Sequence, residues 1–512
     1  MGKFYDTTPI YYANDVPHIG SAYTTVAADV LARYHRRLGD DTFFLTGTDE
    51  HGAKVAEAAA QHGVTPKEYT DRIVAHFKAA WRLLEISNDY FVRTTDPRHE
   101  AGVQAFLARL YDNGEIYKGK YEGLYCVGCE AYVSPDELVD GLCPVHRRPP
   151  IVYAEENYFF RLGKYQDILA KAIADESDPN HYEVAPLARR NEVLGKLRVG
   201  LSDISISRAS LKWGIPLPFD PSQTAYVWVD ALLNYVTAIG YADDPATFAR
   251  YWPADVQVVG KDILWFHAII WPAMLIAAGV KPPKLVFAHG FFTVNGQKMS
   301  KSLGNVIVPG ELVERFGADA ARYLLLSEFP FGVDGDISLP SFVARYNAEL
   351  ANDLGNLLNR TVAMLNRYQQ REVQAPGAAT GVDEDLRTLA LDTARELRAR
   401  LDRLEFQEAI GAVRGLVTRA NRYVEETAPW TLAKGDRSRL ATVLYNLAEA
   451  ERLAAELLWP FMPGASERMV AQLGTQLGLG GGWRGQALTW GQLPPGTKVT
   501  PKPTPLFPKI ER

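Results

Sequence analysis

The chain has 512 residues and a mass of 56.9 kDa, more than one hydrophobic core accommodates, so we expect about three or four domains. Its 47% hydrophobic and 23% charged residues are typical of globular proteins, and a net charge of −6 restricts any nucleic-acid binding to local basic patches. No apolar run reaches the ~18 residues of a membrane span and the N-terminus lacks a signal-peptide core, so we expect a cytoplasmic protein with no membrane partner.

The first 115 residues predict half of a nucleotide-binding sheet. Residues 3–8 are β-prone, residues 21–38 carry apolar side chains at helical spacing until Gly39, and residues 41–46 form a second strand pattern. We expect a parallel sheet with a right-handed crossover, which binds ligands at the carboxyl ends of its strands. The loops 9–20 and 47–52 lie at those ends.

Each of these loops has a functional and a structural interpretation. His18 and Gly20 come directly before the helix, where an imidazole and unpaired backbone N–H groups suit a phosphate, but His18 also suits a simple helix cap. Asp49 and Glu50 follow the second strand, where a carboxylate suits an ammonium group, but an acidic solvated turn fits equally well. The loops alone do not separate these alternatives.

The three cysteines of the chain predict a metal site. Cys126 and Cys129 form a Cys-x-x-Cys pair, and Cys143 and His146 form a Cys-x-x-His pair after thirteen intervening residues. Two such turns can close a tetrahedral zinc site, and four protein ligands leave no position for water, so we expect a structural zinc. Downstream, five basic residues suit either RNA phosphates or a solvated face: Arg189, Arg190, Lys196, Arg198 and Arg208.

Residues 225–295 predict the second half of the sheet. A strand at 255–259 ends in Gly260 and Asp262, as a ribose-binding pair would be placed. Ile263, His267 and Trp271 then recur four residues apart on a predicted helix, a stripe that is more typical of a core than of a site. A strand at 285–288 follows.

Residues 291–305, FFTVNGQKMSKSLGN, combine two lysines and two serines between a turn and an apolar run. Lys298, Ser300 and Lys301 suit a clamp for a polyphosphate, where negative charge develops during a reaction. By itself, such a pentapeptide is more often a solvated turn.

The last third of the chain predicts an antiparallel helix bundle, with helical periodicity over 342–368, 383–426 and 437–459. Asn352, Asn356 and Arg360 are spaced to share one face, and Trp430 follows Pro429 at a helix end, which would suit stacking on a base. Without further context these residues are those of a helix surface and core. A Gly/Pro-rich tail begins at Gly478.

The HisIleGly loop at 18–20 and the LysMetSerLysSer loop some 280 residues later resemble the paired signatures of class I aminoacyl-tRNA synthetases. The two chelating turns, which would form a single zinc knuckle, and the sequence over essentially the whole chain resemble those of methionyl-tRNA synthetases. One departure is Ser21, which stands where the first signature of the class usually has a second histidine.

This resemblance implies an α/β fold, with a Rossmann-like catalytic domain split by a zinc-knuckle insertion and followed by an α-helical anticodon-binding bundle. The implied boundaries are 1–115 and 225–295 for the two catalytic halves, 116–224 for the insertion, 296–345 for the KMSKS loop and stem-contact element, and 346–512 for the helical domain with its C-terminal peptide.

The resemblance also implies site residues. Catalysis falls to His18, Lys298 and Lys301. ATP would bind to His18, Gly20, Ser21, Gly260, Asp262, Lys298, Ser300 and Lys301. Methionine would bind to Ile10, Tyr12, Asp49, Trp228, Ala231, Leu232, Tyr235, Ile263 and His267. The anticodon would be read by Asn356, Arg360 and Trp430, and zinc would be held by Cys126, Cys129, Cys143 and His146.

The activity implied is ATP-dependent ligation of methionine to tRNA(Met), including initiator tRNA, through methionyl-adenylate, with Mg²⁺ accompanying ATP. The absence of an appended tRNA-binding domain favours a monomer. The alternatives are another class I synthetase, of the cysteine or leucine type, and a catalytically dead zinc-containing RNA-binding paralogue. A fully ligated knuckle argues against the cysteine type, and intact His18, Asp49, Lys298 and Lys301 argue against a dead enzyme.

Overall fold

The computed structural model describes residues 2–129, 131–133, 135–299 and 305–511. The N-terminal segment contains, in chain order, β1 (Lys3–Thr7), β2 (Tyr11–Tyr12), α1 (Ile19–Leu38), β3 (Asp41–Asp49), α2 (Ala53–Gln61), α3 (Pro66–Leu83), β4 (Tyr90–Arg93) and α4 (Pro97–Asp112). The predicted strand, helix and strand are confirmed, and Gly39 ends α1 in the left-handed region at φ 80°.

The next segment is mostly β-structure. Its elements are β5 (Ile116–Cys126), β6 (Ala131–Val133), β7 (Ile151–Phe160), α5 (Gln166–Ala174), β8 (Glu183–Ala185), α6 (Leu187–Val199), β9 (Ile204–Ser205), β10 (Ser207–Arg208), β11 (Pro216–Leu217) and β12 (Asp220–Ala225). The long hairpin of β5 and β7 is the centre of a four-stranded sheet in the order β6-β5-β7-β9. This hairpin carries the segment that contains the cysteines.

The chain then returns to the first layer. The elements are α7 (Val227–Leu232), α8 (Asn234–Thr237), α9 (Pro245–Tyr251), β13 (Val256–Gly260), α10 (Trp271–Ala277), β14 (Leu285–His289), β15 (Phe292–Val294), β16 (Gln297–Lys298), α11 (Pro309–Phe316), α12 (Ala318–Ser327) and β17 (Gly335–Ile337). A 3₁₀ turn at Lys261–Ile263 and a π-helix at Phe266–Ile270 connect β13 to α10.

The central sheet has seven strands in the order β2-β3-β1-β13-β14-β8, with β4 also paired to β3, and all of its pairings are parallel. β1 and β13 are neighbours although the insertion separates them along the chain, so the two predicted halves form one sheet. β8 lies within the range predicted for the insertion, yet it pairs with β14 at the edge of this sheet. Part of the predicted insertion therefore belongs to the layer of the central sheet, because Tyr182 and Val184 are buried in the core of that layer.

The C-terminal part is helical. It contains α13 (Leu339–Arg345), a π-helix (Tyr346–Gly355), α14 (Asn356–Gln369), α15 (Gly381–Leu401), α16 (Phe406–Thr427), α17 (Pro429–Leu432), α18 (Arg437–Leu458) and α19 (Pro463–Gln472). The predicted single helix at 342–368 is wrong in its middle, where the π-helix widens the turn, and the periodic stretch 383–426 is two helices separated at 402–405.

Buried polar contacts join the helical part to the sheet layer. Arg322 on α12 pairs with Asp29 on α1 at 2.7 Å and donates to the carbonyl oxygens of Leu84, Pro460 and Phe461. The tail packs back on the body, where Asn347 exchanges hydrogen bonds with the backbone of Ile510 at 2.8 and 3.0 Å. Among the residues described, no helix has both the length and the apolarity for crossing a membrane.

Candidate functional site

The N-terminus of α1 is compatible with both roles considered for His18, phosphate binding and helix capping. His18 is the N-cap, and its Nδ1 accepts from the Gly20 N–H at 3.0 Å. Desolvation by the surrounding groups lowers the pKa of His18, and because Nδ1 accepts a hydrogen bond, the neutral ring carries its proton on Nε2. His18 is exposed, so capping the helix leaves this second nitrogen able to donate to a ligand.

Ser21 belongs to the support of this loop. Its hydroxyl donates to the His18 carbonyl oxygen at 2.7 Å and accepts from the His18 N–H at 3.1 Å. The residue is only 5% exposed. The geometry therefore gives Ser21 a capping role and offers no evidence for the ATP contact that the resemblance implied.

The second signature starts from a hairpin anchored to a third strand. β15 and β16 pair around Asn295 and Gly296, whose φ angles of 52° and 74° form the tight turn, and β15 also pairs in parallel with β17. Asp336 on β17 accepts from the Thr293 hydroxyl at 2.6 Å and from the Gly296 N–H at 2.7 Å. Ser300, Lys301 and the side chain of Lys298 lie outside the described residues.

The described residues on either side of the second signature lie beside the first signature loop. The Ile19 N–H donates to the Ile307 carbonyl oxygen at 2.9 Å, which ties the start of α1 to the chain that follows the clamp. A methyl group placed on Gly20 would lie 2.9 Å from the His18 ring and 3.8 Å from Met299 Cε. A side chain at this position would therefore displace the His18 ring, and the clamp residue Met299 approaches the same backbone.

The predicted ribose pair lies at the end of β13. A Cβ atom at Gly260 would lie 2.5 Å from Asp262 Oδ1, so the Asp262 carboxylate lies directly against the backbone of Gly260.

His289, at the end of β14, was missed by sequence reasoning. Burial lowers its pKa to about 4, its Nδ1 donates to the Gly290 carbonyl oxygen at 2.8 Å, and its Nε2 accepts from the Thr24 hydroxyl at 2.7 Å. Its place at a strand's carboxyl end was the available signal.

A second group of predicted residues lies together after β13 and would line a binding pocket, which we call the aromatic pocket. Trp228 stacks on Phe266 with ring centroids 3.9 Å apart and planes at 8°. The Tyr235 hydroxyl lies 2.7 Å from His267 Nε2, and His267 Nδ1 donates to the Ile263 carbonyl oxygen at 3.0 Å. Burial lowers the pKa of His267 to about 4, so the ring is neutral and accepts from Tyr235.

The three residues of the predicted helical stripe lie in three different elements. Ile263 ends the 3₁₀ turn, His267 lies in the π-helix, and Trp271 begins α10, so the stretch is not one continuous α-helix. Trp271 is completely buried and belongs to the core. Phe266 was not predicted, yet its ring covers Trp228 because the wider π-turn presents it beside His267.

The opposite wall of the pocket comes from β2 and β3. Tyr12 lies opposite Asp49 in the parallel pairing, and the Ala13 N–H donates to the Asp49 carbonyl oxygen at 2.7 Å. Ile10 and Tyr12 pack on the same buried cluster as Trp228. Three further predicted residues, Ala231, Leu232 and Tyr235, are buried and would form the floor of the aromatic pocket.

The structure separates the two acidic residues of the 47–52 loop. Glu50 is completely buried and receives two hydrogen bonds of 2.7 Å from Arg93 and others from the hydroxyls of Thr48 and Thr95. Glu50 therefore holds the loop in place. Asp49 is the better candidate for an ammonium group.

The four predicted metal ligands converge. The atoms Cys126 Sγ, Cys129 Sγ, Cys143 Sγ and His146 Nδ1 all lie within 4.8 Å of one another, with separations of 3.2 to 4.0 Å among the closer pairs. A tetrahedral zinc with bonds of about 2.3 Å to sulfur requires spacings of about 3.8 Å, so the residues fit this ion. A side chain at Gly128 would lie 2.5 Å from the His146 ring, so glycine is needed for the imidazole to reach the site.

The residues predicted to contact RNA differ in their exposure and partners. Asn356 opens α14, and Arg360 on the same helix pairs with Glu425 near the end of α16 at 2.6 Å. Trp430, on α17 directly after α16, is 42% exposed. In the insertion, Arg208 is only 7% exposed and its guanidinium lies 4.2 Å from the Tyr226 ring centroid, so it is not part of an exposed basic face.

Comparison with known proteins gives one family. The family model described as tRNA synthetases class I (M) matches residues 4–149 and 129–362, and that of the anticodon binding domain of methionyl tRNA ligase matches residues 373–512. Among curated relatives, the methionine–tRNA ligase of Caldanaerobacter subterraneus is 48% identical over 99% of this chain and 79% of its own. That of Streptomyces coelicolor is 47% identical over 99% and 97%.

Solved structures agree with these matches. The Mycobacterium tuberculosis methionyl-tRNA synthetase in complex with methionyl-adenylate superposes with a TM-score of 0.93 at 40% identity, covering 99% of this chain and 100% of that one. The apo form of that enzyme superposes with a TM-score of 0.86 at 37% identity, covering 100% and 99%. This chain therefore belongs to the methionyl branch of the class I tRNA synthetases.

Proposed function

We propose that the protein ligates methionine to tRNA(Met), initiator tRNA included, in two steps that use ATP. One observation carries the proposal: the Tyr235 hydroxyl and His267, two of the residues predicted to bind methionine, meet in a hydrogen bond of 2.7 Å. The loop at His18, which resembles a phosphate site, caps α1 in the same catalytic sheet layer. The family supports this activity, since its curated members are methionine–tRNA ligases. The cysteine and leucine types and a dead RNA-binding paralogue are not favoured.

In the first step a methionine carboxylate oxygen attacks the α-phosphorus of ATP, the bond to the β-phosphate bridge breaks, and pyrophosphate leaves. No protein nucleophile is needed, so catalysis is mainly positioning and charge stabilisation. His18 would donate from Nε2 to a phosphate oxygen, and Lys298 and Lys301 would neutralise the departing pyrophosphate. Gly260 and Asp262 would hold the ribose, and Ser300 would line the phosphates.

Methionine is selected by the pocket. The thioether is polarizable and gains from the aromatic edges of Trp228 and Tyr12. Because His267 is neutral and buried against Tyr235, the floor presents no charge, which favours an uncharged side chain. Asp49 would pair with the amino group.

In the second step a hydroxyl of the terminal adenosine of the tRNA attacks the adenylate carbonyl carbon, the mixed anhydride breaks, and AMP leaves. Asn356, Arg360 and Trp430 would read the anticodon, by hydrogen bonds and by stacking on a base. Arg360 pairs with Glu425 in this structure, so this ion pair would open when RNA binds.

Two metal ions belong to the proposal. Magnesium would accompany ATP and neutralise phosphate charge. Zinc would be held by Cys126, Cys129, Cys143 and His146, where it stabilises the insertion. The domain boundaries stated above, with β8 assigned to the catalytic sheet, are also part of the proposal. So are a cytoplasmic location and a monomeric state.

The test is methionine-dependent exchange of labelled pyrophosphate into ATP, with leucine, cysteine and homocysteine as controls. We expect exchange that saturates with methionine and is at least about 100-fold less efficient with leucine. No exchange with methionine would refute the proposal.

The clamp anchor gives a testable prediction. Asp336→Ala removes the acceptor for Thr293 and Gly296, so the hairpin loses its fixed position and we expect the exchange rate to fall about tenfold. Thermal unfolding should change little, since the side chain is exposed. Asp385→Ala, an exposed change in the helical domain, is the matched control, and equal rates in both variants would contradict the anchoring role.

The knuckle gives another prediction. Cys126→Ser should lose about one equivalent of zinc per chain, because four ligands are required to close a structural site. Exchange should remain within about threefold of wild type, since a structural ion serves folding and takes no part in the chemistry. Metal analysis of the purified protein measures the loss, with Val127→Ser in the same turn as control. Full zinc retention in Cys126→Ser would show that this cysteine is not a ligand.

A further inference from the structure

A buried chain of hydrogen bonds links the loop after β3 to α7, α4 and α8. His51 Nδ1 lies 2.7 Å from Asp230 Oδ2, and Asp230 Oδ1 lies 2.8 Å from His99 Nε2. His99 Nδ1 lies 2.8 Å from the Thr237 hydroxyl. All four residues are at most 3% exposed, so the network is almost completely shielded from bulk water.

The network joins the two walls of the pocket. His51 comes two residues after Asp49, in the loop that ends β3, and Asp230 lies on α7 between Trp228 and Ala231. A hydrogen bond between His51 and Asp230 therefore fixes the distance between the proposed ammonium partner and the aromatic wall. His99 on α4 holds the second carboxylate oxygen, so Asp230 cannot rotate without losing a partner.

Other hydrogen bonds hold the loop that follows β3, but they do not set the distance between Asp49 and the aromatic wall. The Trp213 indole N–H donates to the Glu50 carbonyl oxygen at 2.6 Å, and the Gly52 N–H donates to the Trp213 carbonyl oxygen at 3.1 Å. Arg93 holds the Glu50 side chain. These bonds run to β4 and to the loop before β11, whereas the bond from His51 runs to α7.

His51 and Asp230 each stabilise the charged form of the other. Burial is the largest single influence on the pKa of His51 and lowers it, but the charge and hydrogen bond of Asp230, with the charges of Glu100 and Glu50, together outweigh it, so the net shift is upward. Burial raises the pKa of Asp230, but His51 and His99 outweigh it and the net shift is downward. Loss of His51 would leave the buried Asp230 carboxylate with His99 as its remaining partner in this network and would release the loop after β3 from α7.

We propose that His51 and Asp230 are positioning residues for methionine, which set the separation of Asp49 from the aromatic wall without touching the substrate. This inference rests on the proposed function. It assigns the pair to the amino-acid half of the site, because neither residue contacts the loop at His18 or the clamp hairpin in the described hydrogen bonds.

The experiment compares two replacements of one residue by steady-state pyrophosphate exchange. His51→Ala breaks the bond to Asp230, and we expect the KM for methionine to rise about tenfold or more while the KM for ATP stays within about twofold. His51→Asn retains a side-chain N–H near the position of Nδ1, and we expect it to restore the KM for methionine to within about threefold of wild type.

Asp383→Asn is the matched control. Asp383 is a buried carboxylate in the helical domain that accepts from Tyr423, Arg439 and Asn446. We expect the control to lower the melting temperature and leave the KM for methionine unchanged. If His51→Ala does not fold, Asp230→Asn, which leaves one carbonyl oxygen for two histidines, should raise the KM for methionine about fivefold.

The outcomes separate the two proposals. A wild-type protein without methionine-dependent exchange refutes the proposed function. A wild-type protein that exchanges normally, with an unchanged KM for methionine in His51→Ala, or in Asp230→Asn if that variant has to be used, refutes the positioning role. Equal increases in both KM values that His51→Asn does not reverse would also refute it, because they would indicate general damage.

Discussion

Replacing Lys301 by alanine is expected to lower the methionine-dependent exchange rate by about 10²–10³-fold, while the KM for methionine stays within about twofold. The ammonium group would act on charge that develops only as pyrophosphate departs, so its loss affects the transition state far more than the bound substrates. Two residues earlier in the chain, Met299 approaches Gly20 beside the proposed phosphate donor His18.

The control for this prediction is Lys502→Ala, which removes one exposed positive charge from the tail. Its rate should equal that of wild type. A rate for Lys301→Ala within about twofold of the control would exclude a catalytic role for this lysine, and an increase in the KM for methionine alone would reassign it to substrate binding.

Replacing Asp49 by asparagine is expected to lower kcat/KM for methionine by about 10²-fold. The amide keeps the size of the side chain but removes the charge that would pair with the substrate ammonium group. Because Glu50 is committed to Arg93, it offers no substitute. The KM for ATP should remain within about twofold of wild type, since the proposed nucleotide-binding loop follows β1, whereas Asp49 ends β3.

Asp243→Asn, a partly exposed acidic residue on the surface of the same domain, controls for the loss of one negative charge. Methionine analogues give a second check. A methionine analogue without the amino group should bind wild type and Asp49→Asn equally, whereas methionine should distinguish them. Equal methionine affinity in both proteins would exclude Asp49 as the ammonium partner.

Local features were predictable because their chemistry depends on neighbouring residues. Gly39 ends α1 because glycine adopts the left-handed conformation at little cost. The spacing of Cys126, Cys129, Cys143 and His146 requires two chelating turns, and the four atoms do converge. The loop at His18 precedes a helix, and the imidazole does cap it.

Features that depend on distant partners were not predictable in the same way. Asp49 and Glu50 are equivalent in sequence, and the choice between them depends on Arg93, which lies 43 residues further along the chain. The π-helix at Tyr346–Gly355 replaces the predicted α-helix, so Asn352 does not share a regular face with Asn356 and Arg360. Arg208 reads as a surface cation, but it is buried against Tyr226.

The sequence by itself determined the two signature loops, the metal ligands, the alternation of strands and helices and, through the resemblance, the family. These properties reside in short segments whose residue types dictate their conformation or chemistry. Only the tertiary structure decided that β8 joins the main sheet, that Phe266 covers Trp228, and that His51 meets Asp230 across 179 residues. Such pairings result from burial, because a polar group removed from water must find its partner wherever the fold places one.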